Sequence, residues 1–330
     1  MKAILLRQHG GVDGFFLEEV KEPNVERGHV IIKVEATSVN PVDCKIRRGA
    51  LPIGPVLPGV LHGDLAGTIT EIGPDVHGFQ VGDEVYGCVG GFGGLAGVLS
   101  EYISADCRLL AKKPKNLAMT EAAALPLVGI TAWNALIDRA NISEGQKILV
   151  HAAAGGVGHI ALQLAKAKGL EVHATASSEE KMTVGLRLGA DRVFNYKNEN
   201  PKDYVRRETD GVGYDVVFDT VGGDCLDASF EAARINGLVV SIAARSTHDL
   251  TPVHLKSLTL HVVFMLLPII RNQNRESHGL ILSKISGLVE SQKMIPLIHQ
   301  NIFDFEEVGK AHHCLESGQA IGKVVLSSSW

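Results

Sequence analysis

Between Lys147 and Lys168 the hydrophobic pattern changes character twice. Ile148–Ala152 is a short, nearly unbroken apolar run of the kind shown by a strand covered on both faces. A glycine cluster comes next, and then an amphipathic stretch that predicts a helix over Gly158–Lys168. The same alternation continues downstream. Strands are predicted at Glu171–Ala176, Arg192–Asn195, Tyr214–Asp219 and Leu238–Ile242, with helices at Glu179–Leu188, Lys202–Glu208 and Leu226–Ala233 between them. Strand and helix in strict alternation predict an α/β domain built on a doubly wound parallel sheet.

The first 110 residues read differently. Short β-type runs at Val30–Thr37, Asp64–Ile72 and Asp83–Tyr86 are separated by Gly, Pro and Asp, and helical periodicity is confined to a turn near Asp43–Arg48. Helices at Glu121–Leu125 and Thr131–Asp138 lead into the α/β region. After the apolar stretch Leu258–Ile270 come helices at Leu280–Glu290 and Glu306–Glu316 and a last strand at Lys323–Leu326. The organisation expected is a β-rich domain over 1–120, a nucleotide-binding domain over 121–267, and a return to the first domain over 268–330. Leu258–Ile270 is 13 residues long and holds His261 and Pro268. A spanning helix needs about 20 apolar residues, so this stretch is read as a buried or interface strand with its continuation, and no membrane association is expected.

Composition narrows the class. A chain of 330 residues with 45% apolar content can bury two cores. A formal charge of -5 argues against a nucleic-acid surface. Cys44, Cys88, Cys107, Cys225 and Cys314 are scattered, without a C-x-x-C pair, which suits reduced thiols and a cytoplasmic location.

The glycine cluster carries the first chemistry. Gly155, Gly156 and Gly158 stand where a strand–helix turn must be tight and where a dinucleotide's diphosphate meets the positive end of the helix. An NAD site places an acid about 20 residues further on, against the ribose hydroxyls. Here the next strand ends Ala176-Ser177-Ser178, and hydroxyls with Lys181 one turn later suit the 2′-phosphate of NADPH. The plainer alternative is that Ser178 caps the following helix.

The order of motifs resembles the medium-chain dehydrogenase/reductase superfamily, and within it the zinc-free quinone oxidoreductase (zeta-crystallin-like) branch. The resemblance rests on Val39-Asn40-Pro41-Val42-Asp43, Gly63-Asp64-Leu65-Ala66-Gly67, Val81-Gly82-Asp83-Glu84-Val85-Tyr86, Gly129-Ile130-Thr131-Ala132, the glycine turn, Gly189-Ala190-Asp191, Asp215–Asp219 with Gly222-Gly223, and Gly322-Lys323-Val324-Val325-Leu326. It implies a Rossmann domain paired with a GroES-like catalytic domain, and a homodimer. Zinc-dependent relatives have a Cys where this chain has Asn40 and a His where it has Gly63. His62 is displaced by one residue, which in an extended segment turns its side chain to the other face, and zinc prefers Cys and His over the remaining carboxylates. No metal is expected.

The resemblance also implies roles for single residues. Asn40 lies beside the nicotinamide and is a candidate donor to a carbonyl oxygen, as is Lys45; Thr131 touches the ring from the nucleotide side. Lysine at 45 is shared with plant-type alkenal/enone reductases, whereas a surface lysine or a ribose contact are the alternatives there. Gly155, Gly156, Val157, Gly158, Ser177, Ser178, Lys181 and Tyr196 are assigned to the cofactor, and Ala243, Phe264 and Lys323 join them. Tyr196 as a core tyrosine is the alternative. Phe92, Leu127 and Phe264 are candidate walls of an apolar substrate pocket, Phe264 serving equally as a dimer edge. The loop Gly90–Gly97 is expected to be mobile, either covering the pocket or as a plain surface turn, and His299, His312 and His313 are read as solvated. The expected activity is NADPH-dependent, metal-free hydride transfer to a small-molecule quinone or α,β-unsaturated carbonyl. A zinc-type alcohol dehydrogenase with a degenerate site and a non-catalytic NADPH-binding protein are the alternatives.

Overall fold

The computed structural model describes residues 1–330, which fall into two compact units. One comprises Met1–Ile130, Leu266–Gln292 and Pro296–Trp330, and the other Thr131–Met265 with Lys293–Ile295. The chain therefore leaves the first unit at residue 130, ten residues beyond the boundary expected from the change in pattern.

The second unit holds a six-stranded, all-parallel sheet. Its spatial order is Arg192–Asn195, Glu171–Ala176, Lys147–Val150, Tyr214–Asp219, Ala233–Ser241, Thr259–Val262. The order reverses between Lys147–Val150 and Tyr214–Asp219, which opens a crevice at the carboxyl ends of these two strands. Helices Gly156–Ala167, Glu179–Arg187, Pro201–Glu208 and Asp224–Ala232 make the connections. Leu149, Val217, Phe194, Tyr204, Tyr214 and Phe230 are buried in one cluster, in which the Phe194 and Tyr204 rings stack with centroids 4.6 Å apart. Such a stack adds about 0.5–1.5 kcal/mol to the area it buries. The apolar stretch after Ser257 divides. Thr259–Val262 is the edge strand, and Leu267–Arg271 is a separate short helix with Pro268 in its first turn, where a missing N–H costs nothing.

The first unit is built on a seven-stranded, mostly antiparallel sheet around the long strand His29–Val39. Two registers shape one end of it. Lys323–Ser327 runs antiparallel to that strand with Val324 opposite Val39, which sets Lys323 beside Asn40. Asp64–Ile72 pairs on the other side with Leu65 opposite Thr37, which sets Asp64 beside Ser38. Three distant segments thus meet at this end of the sheet. The strands Lys2–Leu6, Phe15–Glu19 and Ile298–Asp304 carry no clear alternation in the sequence and owe their form to their partners.

The tightest backbone contact in the second unit is at the glycine turn. Ala152 adopts φ 57°, a conformation costing an L-residue about 1–2 kcal/mol, and its carbonyl accepts from Gly155 N–H at 2.9 Å. A Cβ added at Gly158 would stand 2.0 Å from that same carbonyl oxygen. Gly158→Ala is therefore expected to cost about 1–3 kcal/mol of stability, read as a lower midpoint in urea unfolding; an unchanged midpoint would contradict the close strand–helix contact.

Candidate active site

In the second unit the expected cofactor residues collect at the carboxyl ends of the strands. Helix Gly156–Ala167 starts from Gly155 with no side chain capping its first turn, so its leading N–H groups are not taken up by a cap. Gly155, Gly156 and Val157 are partly exposed there. Ser178 is the N-cap of helix Glu179–Arg187, its hydroxyl accepting from Lys181 N–H at 3.4 Å. The capping alternative thus describes Ser178, while Ser177 remains half-buried beside it and Tyr196 is 55% exposed, which removes the core-tyrosine alternative. At the crevice, Ser241 Oγ donates to Asp219 Oδ2 at 2.6 Å, and Asp219 Oδ1 accepts from Val221 and Gly222 N–H. This fixes the chain that leads to Ala243, whose N–H donates to Ser241 Oγ at 3.2 Å. Thr131 is buried and Phe264 is 43% exposed. An uncapped helix end, hydroxyls and a lysine, with no carboxylate closing the second strand, form a donor set that fits a phosphorylated dinucleotide.

In the first unit Asn40 is fully buried at the start of helix Pro41–Arg47. Asp43, in the first turn of that helix, folds back so that its Oδ2 accepts from Asn40 N–H at 2.8 Å, the reciprocal arm of a capping box. Asn40 Nδ2 donates to Asp64 Oδ2 at 2.8 Å, and its Oδ1 accepts from the Lys323 ammonium. Lys323 Nζ also donates to Val39 C=O at 3.0 Å and lies 3.5 Å from Asp64 Oδ2. Ser38 Oγ donates to Asp64 Oδ2 at 2.9 Å, and Leu127 N–H donates to Asp64 Oδ1 at 2.8 Å. Burial holds the Lys323 ammonium below the usual lysine range, against the pull of Asp64 and Asp43. Burial pushes Asp43 up to about 7, helped by the nearby Asp64 and opposed by the Asn40 backbone N–H, Lys323 and the Asn40 side chain.

These contacts revise several expectations. The Lys323 ammonium, expected at the cofactor, is buried and held by Val39, Asn40 and Asp64. Lys45 is exposed on the same helix whose first turn buries Asp43. Leu127 reaches the network through its backbone. Phe92, a candidate pocket wall, is fully buried beside Gly63: a Cβ built on Gly63 would meet its ring at 2.4 Å, the Gly90 carbonyl at 2.8 Å and Cys88 Sγ at 3.1 Å. The Gly90–Gly97 loop is pinned by Gly91 N–H to Ala96 C=O, Gly93 N–H to Ile53 C=O and Gly97 N–H to Val60 C=O, which opposes the expected mobility.

One feature has no counterpart among the expectations drawn from sequence. His312, expected in solvent, is buried against His62, with ring centroids 5.1 Å apart. Arg47 Nε donates to His312 Nδ1 at 3.3 Å, so the His312 proton is assigned to Nε2, which donates to His62 Nε2 at 2.9 Å. His62 then carries its proton on Nδ1, 3.4 Å from Thr37 Oγ1, whose hydroxyl donates to Asp64 C=O at 2.6 Å. His62 has φ 71° and gives its imidazole to this chain of bonds. Nothing local in the sequence marks His312; a histidine inside the run Val308–Glu316 looks like any helix residue.

Known families match both units, the second match running on into the helix Glu276–Glu290 of the first unit. Residues 26–115 match the alcohol dehydrogenase GroES-like domain, and residues 156–281 match the zinc-binding dehydrogenase family. A 2-methylene-furan-3-one reductase of Solanum lycopersicum and a chloroplastic NADPH-dependent alkenal/one oxidoreductase of Arabidopsis thaliana are each 35% identical, over 99% of this chain and 79% of theirs. A quinone oxidoreductase of Escherichia coli, solved in complex with NADPH, superposes with a TM-score of 0.87 at 27% identity, covering 99% of this chain and all of that one (100%). The chain belongs to the medium-chain dehydrogenase/reductase superfamily. It falls in the quinone-oxidoreductase-like branch and is an NAD(P)H-dependent oxidoreductase without the catalytic zinc motif. The residues present do not fit the zinc that one family name implies. Asn40 is a poor zinc ligand, Gly63 has no room for a side chain beneath Phe92, and no three His, Cys, Asp or Glu side chains are grouped to hold a metal ion. No helix is long and apolar enough to cross a membrane.

The histidine pair makes stability depend on pH. Burial, with Arg47 nearby, holds His312 down to about 3; burial, His312 and Lys323 hold His62 well below its ordinary value. Both protonate near 6.5 when the chain unfolds. The unfolded state therefore binds more protons below that pH, so the contribution is complete above 6.5 and falls as the pH drops. Asp43 works in the opposite sense, holding a proton in the folded state between 3.8 and about 7. In urea unfolding between pH 6 and 5, His312→Phe is expected to lower the slope of stability against pH by about 1.4 kcal/mol per pH unit, one proton's worth; an unchanged slope would mean that His312 titrates normally.

Proposed function

We propose that this protein uses NADPH to reduce the activated double bond of an enone or alkenal, or a quinone, with no metal at the carbonyl. The observation that carries the reading is the pair of residues at the position where relatives hold metal: Asn40 held by Asp64 and Lys323, and Gly63 closed over by the Phe92 ring. A site that cannot polarise a carbonyl through zinc needs a hydrogen-bond donor, and the Asn40 amide is the candidate for that donor. The two plant relatives, which by name act on a methylene-furanone and on alkenals and enones, support this substrate class over simple alcohols.

NADPH is the hydride source in this reading. The first turn of helix Gly156–Ala167 would hold its diphosphate, Ser177, Lys181 and Tyr196 its 2′-phosphate, and the segment through Ala243 its nicotinamide end. The protein supplies alignment and electrostatics. An NADPH-oxidation screen over quinones, alkenals and cyclic enones, run on protein assayed for zinc, tests the proposal. Turnover of at least one such class by zinc-free protein is expected. Stoichiometric zinc whose removal abolishes activity would favour the alcohol dehydrogenase reading, and tight NADPH binding with no turnover would favour a non-catalytic role. Lys181→Glu is expected to weaken NADPH by about tenfold or more relative to NADH, the worth of one charge-assisted hydrogen bond; equal loss for both would remove Lys181 from the phosphate site.

The edge strand Thr259–Val262, with Val262 56% exposed and Phe264 beyond it, supports a homodimer joined through these strands. Val262→Lys is expected to yield a monomer in light scattering; an unchanged mass would exclude this edge.

A further inference from the structure

Asn40's amide has two ends, and both are claimed by charged groups that the reaction itself does not require. We infer that Lys323 and Asp64 are positioning residues: together they fix one rotation of the Asn40 amide, its NH2 turned to the carboxylate and its oxygen to the ammonium. The inference rests on the reading of Asn40 as the donor to the substrate carbonyl.

The geometry admits one rotation only. With Nδ2 on Asp64 Oδ2 at 2.8 Å and Oδ1 on the Lys323 ammonium, each end of the amide meets a charge of the complementary sign. Turning the amide over would set its NH2 against an ammonium and its oxygen against a carboxylate, two repulsions in a buried site where water cannot screen them. An asparagine side chain in solvent samples both rotations, and the donor would then be replaced half the time by an acceptor. Lys323 also acts on the strength of the donor. A cation on the amide oxygen draws electron density from the group and makes its N–H a better donor.

Asp64 does more than accept from Asn40. Its second oxygen takes the Leu127 N–H, and Ser38 Oγ shares the first, so its carboxylate cannot rotate without breaking three bonds. Lys323 is fixed in turn by the carbonyl of Val39, the residue preceding Asn40. The position of the donor is therefore set by the register of three strands, not by the short helix on which Asn40 sits. This accounts for a lysine at the head of the buried strand Lys323–Ser327, where an apolar residue would cost nothing to bury.

The experiment compares Lys323→Gln, Lys323→Met and Asn40→Ala. Gln retains an N–H for Asn40 Oδ1 and loses the charge; Met retains only the volume. Two readouts are taken. In the cofactor-free protein, hydrogen exchange of the Asn40 side-chain amide, assigned by its loss in Asn40→Ala, is expected to quicken from wild type to Gln to Met. In turnover with the best enone or quinone, kcat is expected to fall in the same order, by about 10- to 100-fold in Met, the usual scale for a group that orients a reacting one. The NADPH dissociation constant is expected to stay within about twofold, since Lys323 does not reach the cofactor in this reading; this separates positioning from general damage to the fold. Either folded Lys323 variant decides the matter. Unchanged amide exchange, or an unchanged kcat, overturns the inference. A normal kcat in Asn40→Ala would instead overturn the donor role of Asn40, whatever the exchange data show.

Discussion

A buried ammonium is the constraint around which the first unit is arranged. Removing a lysine from water costs several kcal/mol even after relaxation, and the cost is offset only where a carboxylate and further oxygens surround the charge. Lys323 meets Asp64, the Asn40 amide oxygen and the Val39 carbonyl, and no single segment of chain could supply them all. Strands that begin near residues 64 and 323 must flank the strand that ends at Val39, in register, before the ammonium is satisfied. The same requirement fixes Asp64, and through it Ser38, Leu127 and the carbonyl that receives the Thr37 hydroxyl. The polar interior at this end of the sheet is thus one connected system.

The histidine pair joins that system from the other side. Neutral His62 and His312 share a single proton between their Nε2 atoms, with Arg47 deciding the direction of the bond. Arg47 is held in turn by Glu316 at 2.7 Å and by the Gly10 carbonyl at 2.7 Å. His62 thereby occupies the space next to Gly63 without offering a nitrogen to a metal. The difference from a metal-ligating pattern is more than an absence of ligands: the histidine at 62 is given a different partner, and Phe92 fills the room beside the glycine.

Much of the second unit was legible in the sequence, because its inner strands are covered on both faces and its connecting helices are amphipathic, so local pattern and tertiary environment agree. The glycine turn was equally clear. Its signal comes from what cannot be present, a side chain within 2.0 Å of the Ala152 carbonyl, and only glycine satisfies that at position 158. Ser178 shows where such reading stops: a serine before a helix and a serine at a phosphate site are the same letters, and the cap became visible only with the bond to Lys181 N–H. Lys323 carried a usable signal, a lysine opening an apolar run, yet the motif around it suggested a cofactor contact, not a buried ion pair. His312 and Phe92 carried none, since their burial comes from segments some 250 and 30 residues away in the chain (His62 and Gly63).

The sequence by itself determined the class of fold, the dinucleotide turn, the absence of an acid after the second parallel strand and the lack of zinc ligands at 40 and 63. All of these are properties of residue type at a position, or of short-range order, which a chain keeps wherever it is placed. Only the tertiary structure decided what stands in place of the metal. Which way the Asn40 amide faces, why Gly63 must stay glycine and where the His312 proton lies depend on strand register and on groups far apart in the chain. In a buried site a charge or a proton is placed by its neighbours, and those neighbours exist only once the sheet has formed.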